Sequence, residues 1–257
     1  MILRPVAVAL FATMVSVAGA PRPSLWFDEA ATISASTRTV PQLWRMLGNI
    51  DAVHGLYYLL MNGWFAVFPA TEFWSRLSSS LAVGIAAAGV VVLGKQLSTR
   101  PVALAAGVAF AVLPRVTWAG IELRSYALTM VAGVWLTVFC VAAVRRNGTR
   151  WWVGYAVLTI AATLLNVFLV LLVGVHAVVV RVLGRSSKVL WRWALAAGVA
   201  VVVVIPFLVF TQTQLFQVGW ISPLGARTVG EVLREQYFDD SLPFALLSGL
   251  ILAAGLL

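Results

Sequence analysis

Long apolar runs separated by short basic gaps organise this chain. The runs occupy 1–20, 77–95, 101–114, 127–144, 152–180, 189–210 and 242–257. The gaps GKQLSTR (94–100), RRNGTR (145–150) and RVLGRSSKVLWR (181–192) hold cations and no carboxylate. A helix needs roughly 20 apolar residues to cross a bilayer, so the pattern predicts an all-α polytopic membrane protein, one transmembrane helix bundle over 1–257. The first run ends in Ala18-Gly19-Ala20, which also suits a cleavable signal peptide. We read it as an uncleaved first span, because the remaining runs already make a membrane bundle and need no separate export signal. Run 152–180 lies between two basic gaps and must cross an even number of times. It reads as two short helices meeting near Asn166, the alternative being one long helix that moves 181–192 to the other side. The last run stops at Leu257 without a polar cap, which predicts a truncated chain.

Charge then assigns the sides. Cations accumulate in cytoplasmic loops, so the three basic gaps are expected inside. The nine acids are Asp28, Glu29, Asp51, Glu72, Glu122, Glu231, Glu235, Asp239 and Asp240, and all fall in the other gaps. With one crossing per run, segments 21–76, 114–126 and 211–241 lie outside. The polar chemistry is therefore expected on the exterior face of a multi-pass protein of the plasma (inner) membrane. In the long first exterior loop, 40–50 has apolar positions at helical spacing, and 54–69 is too short for a comfortable span and rich in Tyr and Trp. Both suit interfacial helices. The net charge of +9 does not indicate nucleic acid, because the cations sit in short gaps between apolar runs. Composition agrees with the lipid reading: 11% of residues are charged and mean hydropathy is +0.97, against about 25% charged in soluble domains. Abundant Ala, Val and Arg with little Lys points to a GC-rich bacterial genome. Cys140, the one cysteine, permits no internal disulfide and reads as a small core residue.

Four stretches carry candidate chemistry. In LWFDEA (25–30) the adjacent carboxylates Asp28 and Glu29 suit a base or a divalent metal; the plainer alternative is a solvated loop with an aromatic anchor. His54 heads an amphipathic stretch beside Asp51, at the level of a lipid phosphate, though a lone His is more often structural. In IELRSYAL (121–128), Glu122, Arg124 and Tyr126 alternate between two apolar runs. Arg124 suits a phosphate through forked hydrogen bonds; otherwise the segment is a tight exterior hairpin with a Glu–Arg pair. Trp220 and Pro223, in the second long exterior loop, read as an interface anchor. There is no Walker loop, GxGxxG, HExxH, GxSxG or zinc-type Cys/His spacing, so nothing indicates a nucleotide-binding domain.

Taken together, these segments resemble the membrane-embedded glycosyltransferases of the C superfamily, in the branch of the protein O-mannosyltransferases and the bacterial aminoarabinose transferase. The likeness rests on Leu25-Trp26-Phe27-Asp28-Glu29-Ala30, on His54-Gly55-Leu56-Tyr57-Tyr58 without that branch's prolines, on Thr71-Glu72-Phe73-Trp74-Ser75-Arg76-Leu77, and on Glu122, Arg124, Tyr126 and Leu128, over about residues 1–220. It implies a polyprenyl-phosphate sugar donor, with mannose the default sugar, and a hydroxyl acceptor on protein, glycan or lipid. Asp28 would be the base, Glu29 would orient it or help to hold a divalent metal, and Arg124 with His54 would bind the donor phosphate. Asp51, Tyr57, Glu122 and Tyr126 would support them. The alternatives from other classes are a transporter or lipid flippase, and an inactive or accessory membrane subunit. A transporter needs polar groups at the bilayer midplane, where the runs offer only His176 and Asn166.

Overall fold

The computed structural model describes residues 3–21, 23–184, 186–219, 225–235, 238 and 240–254, and these residues form helices and no strand. The helices are α1 (Leu3–Val17), α2 (Phe27–Ser36), α3 (Val40–Leu47), α4 (Gly55–Phe65), α5 (Glu72–Leu97), α6 (Arg100–Val112), α7 (Pro114–Gly120), α8 (Tyr126–Arg146), α9 (Thr149–Leu165), α10 (Leu172–Leu183), α11 (Ser187–Gln212), α12 (Ala226–Gly230) and α13 (Leu242–Ala254). Trp220, Pro223 and Asp239 lie outside the described residues.

Helix boundaries follow local chemistry. Glu72 opens α5, where a carboxylate meets the positive end of the helix dipole. Asn147 ends α8 in the left-handed region, φ 45°, just after Arg145 and Arg146 in the last turn. Leu113 precedes Pro114 and is therefore pushed out of the helical region, so α6 and α7 meet at a 62° bend.

Helices α5, α8 and α11 are each long and apolar enough to cross a membrane, and the bent pair α6–α7 makes a fourth if counted as one span. The sequence pattern expected every apolar run to cross. Helices α6, α9 and α10 have 13, 17 and 12 residues. At 1.5 Å per residue that is about 18–26 Å, short of a hydrocarbon core of about 30 Å. Run 152–180 does break into two helices at Asn166, whose side chain accepts from Phe168 N at 3.0 Å and starts the 3-10 turn Val167–Leu171. The two helices fold back on one another: Tyr155 Oη lies 3.0 Å from His176 Nδ1, and Thr137 Oγ1 of α8 lies 3.2 Å from Nε2. His176 is thus a satisfied core residue.

Helix α1 packs along α5 and α6 rather than standing apart from the bundle. A Cβ on Gly84 of α5 would come within 2.7 Å of the Ala9 carbonyl, so only glycine permits this approach. Val178, Val182, Trp191, Val202 and Val209 are exposed on the outer faces of α10 and α11. Apolar surface of that extent belongs against lipid or another protein.

The connections sort to two ends of the bundle. Arg145 donates to the Gln96 carbonyl, Arg192 donates to the Asn147 carbonyl, and Trp152 Nε1 donates to Asn147 Oδ1 at 3.3 Å, which gathers the basic gaps. At the other end the segments 20–29, 47–58, 76, 120–124 and 214–217 meet through the contacts described next.

Candidate functional site

Glu29 and Arg76 form the closed half of the site. Arg76 Nε donates to Glu29 Oε1 at 2.8 Å and Nη2 to Oε2 at 2.6 Å, a two-pronged pair in which neither side chain is more than 1% exposed. The rest of the guanidinium donates to the carbonyls of Ala20 (2.8 Å), Pro23 (2.5 Å) and Ser24 (3.1 Å). Glu29 also accepts from the backbone N–H groups of Leu123 at 2.9 Å and Trp26 at 3.3 Å. One ion pair thereby ties the segment before α2, α2 itself, α5 and the α7–α8 turn together.

Asp28 belongs to the open half. Successive residues of an α-helix point about 100° apart, so with Glu29 turned inward Asp28 faces the rim. Its Oδ2 stands 3.7 Å from Arg124 Nη2, beyond hydrogen-bond range. Asp28 is 34% exposed and Arg124 15%. The sequence reading offered a Glu122–Arg124 pair in a tight hairpin. Instead α7 forms a short helix packed on α1 and α5, its Val116, Ala119 and Gly120 buried, and this turns Arg124 toward Asp28.

The 3-10 turn Ala52–His54 supplies the next wall. Asp51 has φ 60°, and Tyr58 Oη donates to its Oδ2 at 3.2 Å. The turn is held from the far end of the sequence. Gln214 accepts from Ala52 N at 2.9 Å and donates to the Leu47 carbonyl at 2.9 Å, while Gln217 accepts from Asp51 N at 3.2 Å. His54 stacks obliquely on Tyr58, ring centroids 5.8 Å apart. Burial, and then the charge of Arg124, lower its pKa against the opposing pull of Asp51 and Asp28. This favours the uncharged imidazole, which offers a phosphate one hydrogen bond rather than a cation.

Glu122 and Tyr57 complete the cluster. The Glu122 carbonyl accepts from Ser79 Oγ at 2.6 Å. Burial and the neighbouring Glu29 push its carboxyl up to about 7, against Arg115 and Arg124. Tyr57 is 2% exposed and shares a buried cluster with Tyr58, Met61 and Leu123. Burial pushes its phenol well above the usual range, so the hydroxyl stays protonated. Glu122 Oε2 and Tyr57 Oη are both sealed from solvent and have no hydrogen-bond partner among the described residues, an arrangement that costs about 1–3 kcal/mol per group. Tyr126 lies at the rim, stacked on Trp118 with centroids 5.5 Å apart.

A metal held by the Asp28–Glu29 pair does not fit this arrangement, because both oxygens of Glu29 are engaged by Arg76 and two backbone N–H groups. No group of three or more His, Cys, Asp or Glu suited to a metal occurs among the described residues.

Beside this cluster runs an apolar groove of about 560 Å³ between α3, α4, α9 and α11. Trp44, Leu59, Leu164 and Phe207 line it, together with Ala52 and Gly55, which flank His54 in the sequence. Arg76, Gln214 and Gln217 are structural parts of the site that residue types alone did not single out. The signals for Arg76 were its charge at the head of an apolar run and its place in the Thr71–Leu77 stretch of the resemblance. No protein-family model, curated protein or solved structure matches this chain.

Proposed function

We propose that the chain is a polytopic membrane glycosyltransferase that moves a sugar, with mannose the default, from a polyprenyl-phosphate donor to an acceptor hydroxyl on the exterior membrane face, with inversion. What carries the reading is the open Asp28–Arg124 pair, a solvent-reached carboxylate 3.7 Å from a partly exposed guanidinium. It is mounted on a closed ion pair and stands beside an apolar groove. Asp28 takes the proton of the acceptor hydroxyl as its oxygen bonds to the anomeric carbon. The bond from that carbon to the phosphate oxygen breaks, and lipid phosphate leaves. A phosphate departs with its own negative charge and needs cations more than a general acid; Arg124 supplies one in a half-buried setting, and His54 adds a hydrogen bond. Glu29 positions Asp28 through α2 and does not itself reach the substrate. The groove suits the isoprenoid part of the donor, leaving only the head at the polar rim.

The test is transfer of labelled hexose from polyprenyl-phosphate hexose in membranes reconstituted with the protein. Transfer that starts only when donor and an acceptor hydroxyl are both present is the expected result. Donor hydrolysed or moved between leaflets without transfer would replace this reading with a hydrolase or a flippase.

A further inference from the structure

We propose that a groove at the basic end of the bundle holds one anionic glycerophospholipid of the phosphatidylglycerol class; this does not depend on the transfer reading above. The groove, about 820 Å³, opens between α1, α5 and α8. Its floor is a stripe of α5 made by Leu81, Ile85, Ala88, Val92 and Lys95, spaced three and four apart on one helix face. Helix α5 packs on α1, α6, α7 and α8, yet Leu81 and Ile85 of this stripe remain 41% and 50% exposed. Val6 and Leu10 of α1 form one wall and Trp135 of α8 the other. Both walls are fixed: Gly84 lets α1 approach closely, and Trp135 Nε1 donates to the Ile85 carbonyl at 3.1 Å.

Length and charge define the occupant. From Leu81 to Gln96 the stripe rises about 22 Å at 1.5 Å per residue. One leaflet with its head groups is half of about 40–45 Å. The groove thus matches a single lipid, whereas a partner helix crossing the membrane needs a groove through both leaflets. Cations stand at one end of it. Lys95 and Arg145 line the groove there, and Arg145 donates to the Gln96 carbonyl, which holds its charge at that end. Arg4, exposed, precedes Pro5 of the α1 wall. No carboxylate lines the groove among the described residues, and gaps 94–100 and 145–150 contain none. A phosphodiester meets the cations, and acyl chains meet the Leu, Ile and Val side chains. Basic pockets between spanning helices recognise anionic head groups in this way. A zwitterionic lipid brings an ammonium to the same cations and loses the preference. The basic gaps put this leaflet on the cytoplasmic side.

The experiment titrates the purified protein in detergent with phosphatidylglycerol or phosphatidylcholine of identical acyl chains and follows bound lipid by native mass spectrometry. Wild type should bind one phosphatidylglycerol, and prefer it to phosphatidylcholine by about fivefold or more, since one cation near a lipid surface contributes about that factor. Lys95→Gln should cut the preference about fivefold, and Lys95→Gln combined with Arg145→Gln should bring it close to one. Arg100→Gln, exposed in the same gap and not lining the groove, should keep it. Ala88→Trp fills the floor and should weaken phosphatidylglycerol binding about fivefold or more. Equal wild-type affinity for the two lipids overturns the proposal. So does a loss in Arg100→Gln equal to that in Lys95→Gln, which means diffuse surface attraction, or wild-type binding by Ala88→Trp. A wild-type dimer that binds no lipid and becomes monomeric on Ala88→Trp puts a second copy of the chain in the groove and overturns the lipid assignment. Arg145→Gln also removes the bond to the Gln96 carbonyl; if the double variant fails to fold, Lys95→Gln and Ala88→Trp decide.

Discussion

Arg76 and Glu29 meet through two charge-assisted hydrogen bonds, 2.8 and 2.6 Å long, at the point where four segments of the chain converge. The neighbouring carboxylate, Asp28, faces Arg124 across 3.7 Å. Adjacent acids on one helix therefore do opposite jobs, one closing the fold and one facing the rim.

Their substitution should separate the two jobs. Glu29→Gln leaves the Arg76 guanidinium buried without its counter-charge, so unfolding in detergent should become easier by about 3–5 kcal/mol. Asp28→Asn removes a partly exposed, open pair and should change stability by about 0–1 kcal/mol. Reversible denaturant titration of both variants checks this; equal losses would remove the distinction.

For the chemistry, Asp28→Asn keeps size and removes basicity. Turnover should fall by about 10²–10⁴, while donor-lipid affinity largely persists. Transfer at close to the unmutated rate would disqualify Asp28 as the base.

Arg124→Lys retains a charge but loses the fork that fits a phosphate. Affinity for the bare lipid phosphate should drop in the Lys variant and drop further in Arg124→Ala. Unchanged affinity in both would detach Arg124 from the donor.

The raised pKa of Glu122 has a consequence for stability. The folded chain holds that proton up to about pH 7, whereas the unfolded chain releases it near the ordinary carboxyl value of 4.5. Stability from this group is thus fully present below the unfolded pKa and declines as pH rises through the folded one. Wild type should lose more thermal stability between pH 5 and 8 than Glu122→Gln does. Parallel pH dependences would show that Glu122 does not carry the effect.

Sidedness is checked by labelling. In a Cys140→Ala background, a cysteine at the exposed position Thr37 should react with an impermeant maleimide from outside. One at the exposed Thr149 should react only after the inner face is opened. The reverse pattern would invert the exterior assignment.

Periodicity and charge alone determined the helical class, the break at Asn166 and the gathering of basic and acidic gaps at opposite ends. These are local or additive properties: an apolar run, a breaker, a count of cations. Residue types brought Asp28, Arg124, His54 and Glu122 forward as candidates, and the family resemblance added Tyr57. Pattern could not decide which of the two adjacent carboxylates is buried, because that depends on the rotation of α2 against α5 and on Arg76, far along the chain. Nor could it pair Arg124 with Asp28 rather than Glu122, which follows from α7 folding onto α1 and α5. The grip of Gln214 on Leu47 and Ala52 and the lowering of the His54 pKa by burial were likewise decided only by tertiary structure. Burial and hydrogen bonding depend on what packs nearby in space, and distance along a sequence does not encode it.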